Sequence, residues 1–87
     1  MHAAQLAWET ALQTALLDVG GPHDPGIYVV WTIVLSFADA SAIASQDMAI
    51  MCSELGNRTR TVNWTGTYEI LILSITNQLL QRHCRWV

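Results

Sequence analysis

Apolar and polar positions follow a helical spacing in three segments of the chain, and two stretches rich in turn-forming residues separate these segments. The first separator runs from Gly20 to Gly26 and the second from Gly56 to Gly66. Apolar residues that recur every three or four positions indicate amphipathic helices. The pattern therefore predicts an all-α fold with three helices, short, long and medium in chain order. One domain is expected to cover residues 1–87.

The first segment, from about Ala3 to Val19, has one predicted core face and one polar face. Leu6 and Leu17 are exceptions, since they fall on the polar side and nearly in line. Gly20 is expected to end the helix, because glycine readily adopts the left-handed conformation that follows many helices. The predicted core face contains Ala4, Trp8, Ala11, Leu12, Ala15, Leu16 and Val19.

The second segment predicts a long central helix from Pro25 to Leu55. Asp24 suits the N-cap, and proline is favoured at the first helical position. A continuous polar stripe favours one helix, straight or bent, which would span roughly 45 Å. The alternative is a strand over Tyr28–Leu35, whose residues are β-prone, followed by a helix that begins near Asp39.

The third segment predicts a helix from about Thr67 to Trp86 that packs against the central helix as an antiparallel hairpin. Thr65 or Thr67 is the expected cap, and Glu69 suits the positive end of the helix dipole. Arg82 and Arg85 fall in the last turn, where cations are favoured. The first helix is expected to pack across this hairpin or onto a second copy of the chain.

The composition has more apolar and fewer charged residues than a small monomer needs. Apolar residues make up 52% and charged residues 13%, whereas ordinary domains have about 25% charged residues. This shortage predicts that a homodimer or another protein covers part of the surface. The chain has no lysine and a net charge of −3, which argues against direct nucleic-acid binding.

The sequence predicts a cytoplasmic protein without a membrane span. Its longest apolar-rich stretch, 27–44, contains four polar residues, and the first residues lack the basic and apolar regions of a secretory signal. Cys52 and Cys84 are expected to lie many turns apart in the hairpin, beyond the reach of a disulfide. Reduced thiols agree with a cytoplasmic location.

No pattern of catalytic, metal-binding or cofactor-binding residues is evident. The three histidines lack helical zinc spacing, and the sequence contains no nucleophile elbow or phosphate-binding loop. Glu54 and Arg58 have ion-pair spacing, but Gly56 is expected to break the helix between them. Asn57-Arg58-Thr59 and Asn63-Trp64-Thr65 match the N-glycosylation pattern. They are interpreted as accidental in a chain without a leader, and a eukaryotic secreted origin would change this interpretation.

The expected function is that of a non-catalytic regulatory protein that binds and sequesters a larger protein through an apolar helical face. Its most concrete form is an antiactivator of a bacterial transcription regulator. The alternatives are a secretion-type chaperone and a purely structural, obligate homodimer. Trp64 either folds back onto the core or contacts the partner. The candidate partner-binding residues are Leu6, Leu17, Trp64, Leu79, His83 and Trp86.

Overall fold

The computed structural model describes residues 2–84 and, within them, the side chains of residues 10–38 and 42–84. This part of the chain contains helices and connecting turns but no strand, so the all-α prediction is confirmed. No helix in the described range is long and apolar enough to cross a membrane. The elements are α1 (His2–Asp18), α2 (Pro25–Ser36), a 3-10 helix (Phe37–Ala42), α3 (Ser45–Thr61), α4 (Thr67–Leu79) and a π-helix (Leu80–Cys84).

The end of α1 is fixed by a Schellman motif, in agreement with the predicted role of Gly20. The Gly20 amide donates to the Leu17 carbonyl at 3.2 Å, and the Gly21 amide donates to the Leu16 carbonyl. Both glycines have a positive φ, 84° and 79°, a conformation that costs glycine little because it has no Cβ. The chain therefore turns sharply at this point toward α2.

The start of α2 agrees with the sequence prediction. Oδ1 of Asp24 accepts hydrogen bonds from the amides of Gly26 at 2.7 Å and Ile27 at 3.1 Å. These amides have no partner inside the helix, so the cap satisfies two of its unpaired donors. Pro25 occupies the first helical position, where its missing N–H is not needed.

The prediction of one central helix up to Leu55 is wrong. The α-helix ends at Ser36, a 3-10 helix continues to Ala42, and α3 begins at Ser45. The strand alternative is wrong as well, because Tyr28–Leu35 lies inside α2. The polar stripe misled the prediction because α2 and α3 are each amphipathic. Periodicity within each helix does not reveal a change of axis in the short segment between them, where tertiary packing overrides local propensity.

Gly56 does not break α3, contrary to the sequence-based expectation. It is buried in the interior of a helix that continues to Thr61. Because the helix is intact here, Glu54 and Arg58 form an ion pair at 3.0 Å between Oε1 and Nε. Both side chains are about half exposed, so this pair is worth only about 0.3–0.5 kcal/mol.

The core lies between α2, α3 and α4, and α1 contributes two leucines to it. Helix α2 packs against both α3 and α4, and α3 in addition contacts the π-helix that extends α4 more extensively than it contacts α4 itself. The expected hairpin of two long helices is therefore not confirmed. The buried apolar residues are Leu12, Leu16, Ile27, Val30, Trp31, Val34, Phe37, Cys52, Leu55, Ile72, Ile75, Leu79 and Leu80.

Cys52 and Cys84 form a disulfide, which corrects the prediction of two reduced thiols. Their Cα atoms are 5.6 Å apart. The prediction failed because it placed Cys52 close to the end of a long helix. Once α3 begins at Ser45 and ends at Thr61, Cys52 lies near its middle, where the π-helix packs against it.

Candidate binding surface

An apolar cleft lies between the C-terminal half of α1, the turn that follows it and the outer side of α2. Its volume is about 130 Å³. The Schellman motif and the Asp24 cap lie at the two ends of the turn that connects these helices. The lining residues are Gln13, Leu16, Leu17, Gly21, Pro22, Tyr28, Trp31, Thr32 and Leu35.

Leu17 and Tyr28 are the two large side chains of this cleft that solvent reaches most. Leu17 is 72% exposed and Tyr28 is 58% exposed. By contrast, Leu16 and Trp31 line the same cleft from the buried core. We call the surface formed by the lining residues the α1–α2 cleft. It offers an apolar floor with two accessible side chains at which a ligand or partner could make contact.

Leu17 is the predicted site residue that the structure places most clearly at a surface. The sequence-based reason was its position on the polar side of α1, and its exposure agrees with that position. Tyr28 was not among the predicted site residues, because it was considered only as part of a possible strand. The helical spacing of this segment could have identified Tyr28 as a surface residue, because α2 buries Ile27, Val30 and Trp31 and leaves Tyr28 on its outer side.

Trp64 folds back onto the protein. Of the two sequence-based interpretations, packing on the core or contact with a partner, the isolated chain shows the first. Its ring is partly buried against the core, and Nε1 donates a hydrogen bond to the Thr59 carbonyl at 2.9 Å. That carbonyl belongs to the last turn of α3, where carbonyls lack partners inside the helix. The Trp64 side chain thus caps α3 instead of extending into solvent.

The remaining predicted site residues do not assemble with Leu17. Leu79 is 4% exposed and belongs to the core, so its side chain is not available at the surface in this fold. His83 is partly exposed and stacks on Phe37, with ring centroids 5.9 Å apart. Leu6 and Trp86 lie outside the residues whose side chains the structure describes.

Two further large apolar side chains are exposed on other helices. Ile50 of α3 is 67% exposed and Ile70 of α4 is 58% exposed. Neither lines the α1–α2 cleft. Scattered exposed apolar residues are normal in proteins. Substitutions at these two positions can therefore be compared with substitutions in the cleft, and the two positions are also candidates for a second contact surface.

The buried polar side-chain atoms of the described residues all have hydrogen-bond partners within the protein. The one buried polar side chain, Thr76, donates its hydroxyl to the Ile72 carbonyl at 2.8 Å. The described residues contain no group of three His, Cys, Asp or Glu side chains that could hold a metal ion. The α1–α2 cleft itself offers apolar contact with Gln13 and Thr32 at its edge.

Comparison of this chain with protein-family models, curated proteins and solved structures finds no match. The class that the fold defines is therefore a small helical protein with an internal disulfide.

Proposed function

We propose that this protein is a small, non-catalytic binding protein that docks onto a larger protein through the α1–α2 cleft. The exposure of Leu17 and Tyr28 beside an apolar floor is the observation that supports the proposal most. Tyrosine is enriched at binding hot spots, and apolar concave sites are typical ligand positions. A helix or loop of the partner would cover Leu17 and Tyr28 and remove their apolar surface from water.

The composition gives independent support to a binding role. An 87-residue chain with 13% charged residues has few groups with which to cover its surface. Exposed apolar area of this kind favours association with another protein. We propose regulation by sequestration as the mode of action, because the cleft supplies an apolar contact surface.

The nature of the partner is constrained by the disulfide. Sequestration of a bacterial transcription regulator in the cytoplasm is the concrete form that the sequence suggested. Structural disulfides are rare in the reducing cytosol and common in secreted proteins. The Cys52–Cys84 bond therefore favours a partner that the protein meets in an oxidising compartment, and it supports the chaperone-type alternative for exported clients better than the antiactivator.

Self-association is the second candidate, and Ile50 and Ile70 favour it. These side chains are more than half exposed on α3 and α4, so they provide apolar contacts outside the cleft. In an obligate homodimer, the apolar surface would be buried between two copies of the chain. The two proposals differ in whether the α1–α2 cleft remains accessible after the dimer has formed.

Charge substitution tests the proposal. Leu17→Glu places a carboxylate at the cleft, and Ile50→Glu is the matched control because it has the same chemistry at a position of similar exposure on α3. The immobilised full chain and both variants are used to capture proteins from cells and culture medium of the source organism. We expect Leu17→Glu to lose the captured partner, with helicity unchanged by circular dichroism, and Ile50→Glu to retain it.

Light scattering of the same three proteins separates the two candidates. A dimer that Ile50→Glu dissociates and Leu17→Glu preserves leaves the cleft free for a partner. A dimer that only Leu17→Glu dissociates identifies the cleft as a homodimer interface and contradicts the binding proposal. Equal capture by all three proteins also contradicts it.

A further inference from the structure

The loop between α3 and α4 carries one of the two N-glycosylation patterns, and both acceptor residues of this pattern are exposed. Val62 leaves α3 in an extended conformation, with φ −82° and ψ 138°. Exposure then alternates along the loop, since Val62 and Trp64 are partly buried whereas Asn63 and Thr65 are exposed. Asn63 and Thr65 are therefore both accessible to solvent, on either side of a residue whose side chain is directed toward the protein.

Trp64 holds this arrangement in place. Its indole Nε1 donates to the Thr59 carbonyl at 2.9 Å, and its ring packs against the core. The side chain between the two acceptor residues is thus directed toward the protein. A large group attached to Asn63 would extend into solvent without displacing a buried residue.

The second pattern, Asn57-Arg58-Thr59, lies inside α3 and has a different geometry. Residues two apart in an α-helix are about 200° apart around the axis and do not face each other. Asn57 is exposed, whereas Thr59 is partly buried and donates its hydroxyl to the Leu55 carbonyl at 2.6 Å. The Asn57 carboxamide oxygen also accepts a hydrogen bond from Arg60 Nη2 at 2.7 Å. The folded helix thus separates the two groups that an enzyme must recognise together.

The disulfide is an independent observation that bears on the same question. A bond between Cys52 and Cys84 is typical of proteins from oxidising environments, of which the endoplasmic reticulum lumen is one. Oligosaccharide transfer to the Asn-X-Ser/Thr pattern marks surface positions of secreted proteins. The bond and the exposed acceptor pair are thus consistent with folding in the same compartment.

We propose that Asn63 is an N-glycosylation site and that the helical pattern at Asn57 is not used. In the reaction, the Asn63 carboxamide nitrogen attacks the anomeric carbon of a lipid-pyrophosphate-linked oligosaccharide. A carbon–nitrogen bond forms and the bond from that carbon to the pyrophosphate oxygen breaks. The lipid pyrophosphate leaves, and the amide proton passes to a base of the transferase. No oxidant or reductant is needed.

Translation of the full chain in the presence of mammalian microsomes, behind a cleavable secretory leader, tests this proposal. The probe is the lipid-linked oligosaccharide of the microsomes. We expect one glycosylated band on gel electrophoresis that returns to the unmodified position after peptide N-glycosidase treatment. Asn63→Gln and Thr65→Ala should abolish the band. Asn57→Gln should retain it, and so should Thr65→Ser, because serine preserves the acceptor pattern.

Three results would overturn the proposal: no glycosylated band from the unaltered chain, a band lost in Asn57→Gln but kept in Asn63→Gln, or two glycans on one chain. The last would show that α3 does not protect its own pattern. Non-reducing electrophoresis of the same product should show the Cys52–Cys84 bond. Circular dichroism of the unglycosylated variants verifies that the substitutions leave the helices intact.

Discussion

Individual polar atoms determine the ends of the helices in this protein, and Trp64 provides the clearest case. The last carbonyls of a helix have no intrahelical donor. At the end of α3, the Arg58 carbonyl accepts from the Val62 amide at 3.2 Å, and the Thr59 carbonyl accepts from Trp64 Nε1 at 2.9 Å. The sequence left both orientations of Trp64 open, because a helix that ended at Gly56 would not present these carbonyls.

Trp64→Phe should lower the free energy of unfolding by about 1 kcal/mol, the net value of a typical hydrogen bond. The substitution keeps an aromatic ring against the core and removes only the indole donor and some ring area. Urea denaturation monitored by circular dichroism measures the change. Ser36→Ala is the control, since its exposed hydroxyl only donates to the Thr32 carbonyl. Equal effects of both substitutions would argue against a capping role for Trp64.

At the scale of single elements, capping signals in the sequence were more reliable than the extent of the periodic pattern. The Asp24-Pro25 start of α2 and the role of Gly20 after α1 were predicted from residue chemistry alone and confirmed. The end of α2 at Ser36 carried no glycine or proline signal. After the break, α3 packs against α2 and the π-helix, and such packing is not visible in a periodic pattern.

Asp24→Ala should destabilise the protein by about 1 kcal/mol, because two amides of the first turn of α2 lose their acceptor. Asp24→Asn keeps an acceptor oxygen and should lose much less. Thermal unfolding of both variants at neutral pH provides the comparison. If Asn is as destabilising as Ala, then the negative charge at the helix dipole, and not the hydrogen bonds, is the main contribution of Asp24.

For the whole molecule, the sequence predicted the class of fold but not its topology. On the predicted core face of α1, helical spacing placed Leu12 and Leu16 correctly, because each depends only on its own helix, whereas Val19 at the end of that face is 47% exposed. The contact between Cys52 and Cys84 depends on three element boundaries at once: the starts of α3 and α4 and the end of α3. An error of several residues at Gly56 was enough to separate the two cysteines. The same error concealed the contrast between the helical and the loop glycosylation patterns.

The disulfide is expected to contribute a large share of the stability. It joins residues 32 positions apart, and closing a loop of that length in the unfolded chain corresponds to about 3–4 kcal/mol in the chain-entropy model. Since whole domains are stable by about 5–15 kcal/mol, loss of the disulfide should remove a large part of the free energy of unfolding. We expect reduction to lower the melting temperature by about 10 °C or more.

Two measurements on protein from an oxidising host compartment check this expectation. Thiol titration under denaturing, non-reducing conditions should find no free thiol at Cys52 or Cys84. Calorimetry should then show a lower melting temperature with reductant than without it. The Cys52→Ala/Cys84→Ala variant is the control, because its melting should resemble that of the reduced protein and should not respond to reductant. Two titratable thiols in the freshly purified protein would refute the packing of the π-helix against α3, since that packing brings the cysteines together.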